Sequence, residues 1–176
     1  SNSIFRKKVQ LIFQDPYSSL NPEISIGSSI IEPMIAHKIF GSKYEMECRA
    51  IELLNQVGLS KNDYKKFPNQ FSGGQRQRIV IARALALNPE VIICDESVSA
   101  LDVSIQAQIL NLLSDLKEKY LFTFLFISHD MSVIKYFTDR LIVLKKGEII
   151  ELNETDFLFE HPKKSYTKSL LRASDF

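Results

Sequence analysis

The sequence predicts an α/β fold with a parallel-sheet core and an inserted, nearly all-helical segment. Three observations predict it. Residues 8–13 (KVQLIF), 91–94 (VIIC) and 122–127 (FTFLFI) are short apolar runs bounded by polar clusters. Continuous runs of that length suit strands buried on both faces of a parallel sheet. Helical periodicity separates them, as in alternating β and α units. Residues 23–87 interrupt that alternation and carry almost no strand pattern.

The first strand stops at Gln14-Asp15-Pro16, a breaker cluster, and residues 18–22 continue as loop. From about residue 24 to 57 the pattern is helical. Met46, Ala50, Leu53, Leu54 and Val57 recur at three-to-four spacing, and Gly58 stands where a helix C-cap belongs. Residues 61–70 are polar, contain Pro68 and read as a linker. Ser72-Gly73-Gly74-Gln75 fits a capping box and opens a helix to about Leu87, before Asn88-Pro89. The strand at 91–94 ends in Asp95 and Glu96. Ile105, Ile109, Leu112, Leu113 and Leu116 then form one helical stripe. The strand at 122–127 ends at Ser128-His129-Asp130, and a short helix runs to about Phe137. Residues 141–144 and 148–152 flank Lys145-Lys146-Gly147 as a hairpin. From about Thr155 two small helices are expected around Pro162.

At 176 residues the chain is long enough for one domain with a real core. Its 45% hydrophobic and 24% charged content suits a soluble globular protein. A net charge of +1 gives no bulk electrostatic case for nucleic acid, although a local basic patch stays compatible with it. Cys48 and Cys94 form no CxxC pair, so neither a zinc site nor a disulfide framework is indicated and a cytosolic compartment fits. No apolar run approaches the roughly 20 residues of a membrane-spanning helix. Residues 1–8 hold no signal-peptide core, and Ser1-Asn2 is compatible with an expression scar. There is no internal repeat or low-complexity segment.

Four clusters sit at strand ends or helix starts, where open α/β sheets bind ligands. Ser72, Gly73 and Gly74 open a helix whose first N–H groups and dipole favour a phosphate, but they also make an ordinary cap and tight turn. Asp95 and Glu96 at a strand end suit one carboxylate on Mg²⁺ and one on an attacking water, or a solvated acidic terminus. His129 is placed to donate to a phosphoryl oxygen, or to cap a helix. Gln14 can reach a metal-bound water, or act as a turn residue.

Taken together the clusters carry a resemblance. IFQDP (12–16), FSGGQRQRIVIARAL (71–85), VIICDES (91–97), SALD (99–102) and FISHD (126–130) resemble, in order, the Q-loop, signature helix, Walker B strand, D-loop and switch-histidine region of ABC transporter ATPases. Five motifs in family order over essentially the whole chain are highly specific. Three further stretches resemble the dipeptide and oligopeptide importer branch: FQDPYSSLNP (13–22), ALDVSIQAQILNLL (100–113) and HPKKSYTKSLL (161–171). The first is closer to the second of that branch's two paired ATPase subunits. Nickel and glutathione importers share these patterns.

The resemblance implies a P-loop NTPase-like core, incomplete here, with an inserted helical subdomain. Residues 1–22 would hold a core strand and the Q-loop. Residues 23–87 would be the helical subdomain, 88–153 the ATPase core, and 154–176 a helical tail. Two such subunits would sandwich two ATP molecules. Ser72, Gly73, Gly74 and Gln75 would meet the γ-phosphate held by the partner. Asp95, with Gln14, would serve Mg²⁺. Glu96 would be the general base, His129 would contact the γ-phosphate, and Asp102 would act across the dimer interface. Integral-membrane permease subunits and a second ATPase subunit, identical or different, would be the partners. A solute-binding protein would act indirectly and nucleic acid would play no part. The location would be cytoplasmic, peripheral on the inner face of the cell membrane.

Two departures stand out. Ser97 follows Glu96 where the family usually has proline, so altered loop stiffness is expected rather than lost chemistry. No GxxxxGK[ST] occurs in the 176 residues, so the expectation is a C-terminal piece of a longer subunit, inactive alone. Its sheet edges and apolar surface would then favour self-association. The competing readings are a non-transport ABC ATPase and a non-catalytic docking module.

Overall fold

The structure, a computed structural model, describes residues 2–99 and 101–173, so Ser1 and the Ala100 of SALD lie outside the described residues. Its contacts cluster into two units, Ser1–Ile127 and Ser128–Phe176.

The first unit is built on three parallel strands, β1 (Val9–Ile12), β2 (Val91–Asp95) and β3 (Thr123–Ile127), with β2 in the centre. The register pairs Ile12 with Cys94 and Asp95 with Ile127. Parallel strands need long crossovers, and here both are largely helical. One sheet face carries Ile12, Ile92 and Cys94, all fully buried. Continuous apolar runs predicted burial on both faces, and on the other face this fails. Leu11, Phe13, Leu125 and Ile127 are 42–52% exposed. The alternate residues are equally apolar, but the described residues cover only one side.

Helix α1 (Asn2–Lys8) precedes β1, a helix the sequence pattern did not indicate. Its basic last turn, Arg6 to Lys8, complements the helix dipole. After β1, α2 (Pro16–Ser19) is one helical turn where a loop was expected over 18–22. Asp15 caps it, accepting from Tyr17 N (2.8 Å) and Ser18 N (3.3 Å). Pro16 at the first helical position needs no donor, so the apparent breaker is a helix start.

The long helical run is two helices, α3 (Ile26–Ala36) and α4 (Lys43–Gln56). Lys38, with φ +50°, ends the first, and a Ser42–Glu45 capping box opens the second. Gly58 closes α4 with φ +76°, as expected. Its amide and that of Leu59 donate to Asn55 O (3.1 Å) and Leu54 O (2.9 Å).

Residues 61–70 are no free linker. They form 3₁₀ turns at Lys61–Asp63 and Pro68–Gln70 and lie against α3. The amides of Ile26 and Gly27 donate to Lys66 O (2.9 Å) and Tyr64 O (3.0 Å). A Cβ on Gly27 would lie 2.4 Å from the Tyr64 ring. Helix α5 (Gly73–Leu85) then packs on β1, α2, α3 and α4, and α6 (Val103–Tyr120) packs on α5.

The second unit contains α7 (Met131–Phe137), β4 (Arg140–Lys145), β5 (Glu148–Glu154), α8 (Thr155–Glu160) and α9 (Ser165–Arg172). The antiparallel β4–β5 hairpin turns through Lys146 and Gly147, both with positive φ (+51° and +82°), as a tight two-residue turn requires. Met131, Ile134, Leu141, Val143, Leu158 and Leu171 form its core. The two tail helices flank Pro162, as expected. Among the described residues no helix is long and apolar enough to cross a membrane.

Candidate functional site

The parallel register brings Gln14, Asp95 and Glu96 to one end of the sheet. Gln14 follows β1 by two residues, Asp95 ends β2, and Glu96 follows it. This is the carboxyl end, where side chains leave the strands toward solvent and open α/β sheets take ligands. Asp95 and Gln14 are exposed, and Glu96 is half-buried.

Glu96 is held in an unusual conformation. Its φ is +47°, in the left-handed region a non-glycine residue seldom occupies. Three backbone contacts hold it there. Its amide donates to Ile127 O (2.9 Å), and its carbonyl accepts from Ser99 N (3.0 Å) and Ser99 Oγ (2.9 Å). Ser99 Oγ in turn accepts from Gln14 Nε2 (3.1 Å). A chain Gln14–Ser99–Glu96 thus crosses from the end of β1 to the end of β2. Sequence reasoning had Ser99 only as the first letter of SALD and missed it as the bridge. A hydroxyl three residues after Glu96 was the available signal.

Ser97 is buried, and its hydroxyl lies beside the Cys94 thiol without a well-formed hydrogen bond. Burial pushes the Cys94 thiol up to about 12. Both cysteines are free thiols, Cys48 exposed and Cys94 buried.

The signature residues sit elsewhere in the unit. Ser72 caps α5: Gln75 N donates to Ser72 Oγ (3.4 Å), and Ser72 N donates to Gln75 Oε1 (3.0 Å). The capping box therefore employs Ser72 and Gln75, while Gly73 and Gly74 supply first-turn amides that have no intrahelical acceptor. Across from these glycines lie Leu101 and Ile105, not the acid cluster. Asp102 caps α6, its Oδ1 accepting from Ile105 N (2.9 Å).

Two arginines of α5 hold the turn at α2 to that helix. The Arg76 guanidinium lies 3.9 Å from the Tyr17 ring centroid and donates from Nε to Pro68 O (2.7 Å). Arg83 donates to Ser19 O (2.8 Å) and Glu32 Oε2 (2.9 Å).

His129 belongs to the second unit, two residues past β3. It is exposed. Asp130 N donates to Ser128 Oγ (3.0 Å), and Asp130 Oδ1 accepts from Ser132 N (2.9 Å) and Val133 N (3.3 Å). The turn that presents His129 is therefore pinned on both sides of it.

Among the described residues no group of three or more His, Cys, Asp and Glu side chains could hold a metal. Asp95 and the Gln14 amide oxygen remain as hard oxygen donors at the same sheet end. Two such donors could hold a hard divalent cation only if it kept most of its ligands as water or other oxygens from outside the chain.

Comparison with known proteins adds a lineage. A family model described as "ABC transporter" matches residues 1–99. The oligopeptide transport ATP-binding protein OppF of Bacillus subtilis (strain 168) is 52% identical over 169 residues, 96% of this chain and 55% of that protein. The glutathione import ATP-binding protein GsiA of Pectobacterium atrosepticum is 50% identical over 168 residues, 96% of this chain and 27% of its own length. The chain thus spans about half of the first relative and about a quarter of the second. Among solved structures, the ATP-binding cassette MJ0796, a dimer in a post-hydrolysis state bound to ADP and Pi, is 35% identical. It superposes with a TM-score of 0.74 over 88% of this chain and 66% of its own.

Proposed function

The chain belongs to the ABC transporter family, and from that premise we propose that it forms the signature and Walker B portion of an ATPase that energises peptide import. The Gln14–Ser99–Glu96 chain supports the catalytic part of this reading, because it ties Gln14, which would face the metal, to the backbone of Glu96, which would face the water. The likeness to the oligopeptide transport ATP-binding protein supports the transported class.

In this reading ATP is the substrate and Mg²⁺ its counter-ion. Asp95 and the Gln14 amide oxygen would hold the ion, which when bound neutralises phosphate charge. Glu96 accepts a proton from the attacking water. Its backbone is fixed by three hydrogen bonds, so the point from which its side chain leaves the strand end is set before substrate arrives. Ser72 and the amides of Gly73 and Gly74 bind a γ-phosphate, and Asp102 acts at the face between two ATPase subunits. His129, in the second unit, contacts a γ-phosphate from its pinned turn, whereas Ser72, Gly73 and Gly74 meet the one held by the partner subunit. The helical segment 23–87 docks on a permease, and the protein lies on the cytoplasmic face of the membrane.

None of these 176 residues forms a GxxxxGK[ST] loop, so the cradle for the other phosphates comes from residues besides these. Calorimetric titration of the chain with Mg-ATP tests this. No measurable heat is expected. Binding of micromolar strength, about −8 kcal/mol, would overturn the division of labour. In an assembly that supplies the loop, Glu96→Gln is expected to lower phosphate release by about 10²- to 10⁴-fold and to hold an ATP-bound dimer. Undiminished release would remove Glu96 from the role of base.

A further inference from the structure

The two signature glycines differ in a way that phosphate binding does not explain. A Cβ on Gly73 would meet nothing nearer than Leu101 Cδ2 at 3.8 Å, an ordinary contact. A Cβ on Gly74 would lie 2.5 Å from Ile105 Cγ2, a separation that real side chains do not adopt. Ile105 cannot simply swing aside. It is β-branched on a helix, where one χ1 rotamer dominates, and its amide is bonded to Asp102 Oδ1 (2.9 Å). Ile105 therefore touches both motifs: its side chain rests on Gly74, and its backbone is capped by Asp102.

We propose that Ile105 is a positioning residue of the ATP site, its Cγ2 methyl setting the separation between the first turn of α5 and the Asp102-capped start of α6. Gly74 is then a glycine because Ile105 occupies the space of a side chain there. This rests on the ATPase reading above, in which Gly73 and Gly74 meet phosphate and Asp102 meets the second subunit.

A double-mutant cycle tests it. Gly74→Ala, Ile105→Ala and the pair are made in an ATP-hydrolysing assembly containing this chain, with Gly73→Ala for comparison. Each is read by kcat, by KM for Mg-ATP and by thermal midpoint. Gly74→Ala is expected to lower kcat at least ~10-fold with little change in KM, and to lower the midpoint. Adding Ile105→Ala is expected to restore most of both, because the nearest remaining atom, Ile105 Cβ, lies 3.8 Å away. Gly73→Ala should depress kcat without moving the midpoint. A double variant as slow as Gly74→Ala alone would mean that the added methyl offends the nucleotide and would overturn the proposal. So would a Gly74→Ala variant with wild-type kcat and midpoint. An assembly that hydrolyses no ATP would defeat the ATPase reading instead, and the midpoint cycle would still decide whether Ile105 sets the spacing.

Discussion

At the scale of single residues, Glu96 shows most clearly how the site is held. A non-glycine residue in the left-handed region costs roughly 1 kcal/mol or more, and such strain persists only where its surroundings over-determine it. Here Ile127 and Ser99 do so. Glu96→Gly should accordingly raise chemical-denaturation stability by about 1 kcal/mol, whereas Glu96→Gln should leave stability within about 0.5 kcal/mol. Equal stability for the glycine variant would show that the position is unstrained. Ser97 offers a second test. Its buried hydroxyl lacks a good partner, so Ser97→Ala is expected to be neutral or stabilising by up to about 1 kcal/mol in urea melts. The cysteines differ by environment. With Cys94 buried and its thiol pushed up to about 12, a disulfide reagent at pH 8 should titrate one fast thiol, Cys48, in the native chain and two after denaturation.

At the scale of elements, the sequence was most readable where side chains alone decide. Apolar runs marked the three strands, and the serine–glutamine pair marked the start of α5. It was least readable where backbone groups decide. Residues 61–70 look like a polar linker, yet the carbonyls of Tyr64 and Lys66 dock them on α3. Pro16 looks like a breaker and is the first residue of a helical turn. The division between α3 and α4 did have a signal in Ser42 and Glu45, which went unread inside a longer periodic run.

The start of α9 depends on one carboxylate. Glu151 accepts from Lys163 N (2.9 Å) and Lys164 N (3.2 Å). Partial burial pushes its carboxyl up, but the nearby Thr167 hydroxyl, these two amides and the Lys164 charge outweigh it and leave the pKa lowered. A lowered folded value means the contribution is complete above the unfolded value, 4.5, and is lost as pH falls through the folded one. The thermal midpoint of the second unit should therefore drop over that acid range, and Glu151→Gln should flatten that part of the profile. An unchanged profile would show that Glu151 is not the titrating group.

At the scale of the molecule, the α/β class and the carboxyl-end grouping of Gln14, Asp95 and Glu96 were legible, since parallel strands must release their ends on one side. The Ser99 bridge and the fit of Ile105 on Gly74 were not, because both join residues far apart in the chain or depend on a distance no pattern encodes. Nor did the apolar runs reveal that one face of the sheet stays bare. With Leu11, Phe13, Leu125 and Ile127 in contact with solvent, the 176-residue chain is expected to self-associate at about micromolar concentration, and Leu125→Lys to shift it toward monomer in sedimentation velocity. A wild-type chain that sediments as a monomer would show that this face is tolerated in water. The central place of β2 has a further consequence. Both of its edges are bonded, to β1 and to β3, while among the described residues each outer strand has one neighbour. Its amides should therefore be the last in the sheet to take up deuterium, and the peptide segment carrying Asp95 and Glu96 would keep its shape through partial openings that already loosen the strands on either side.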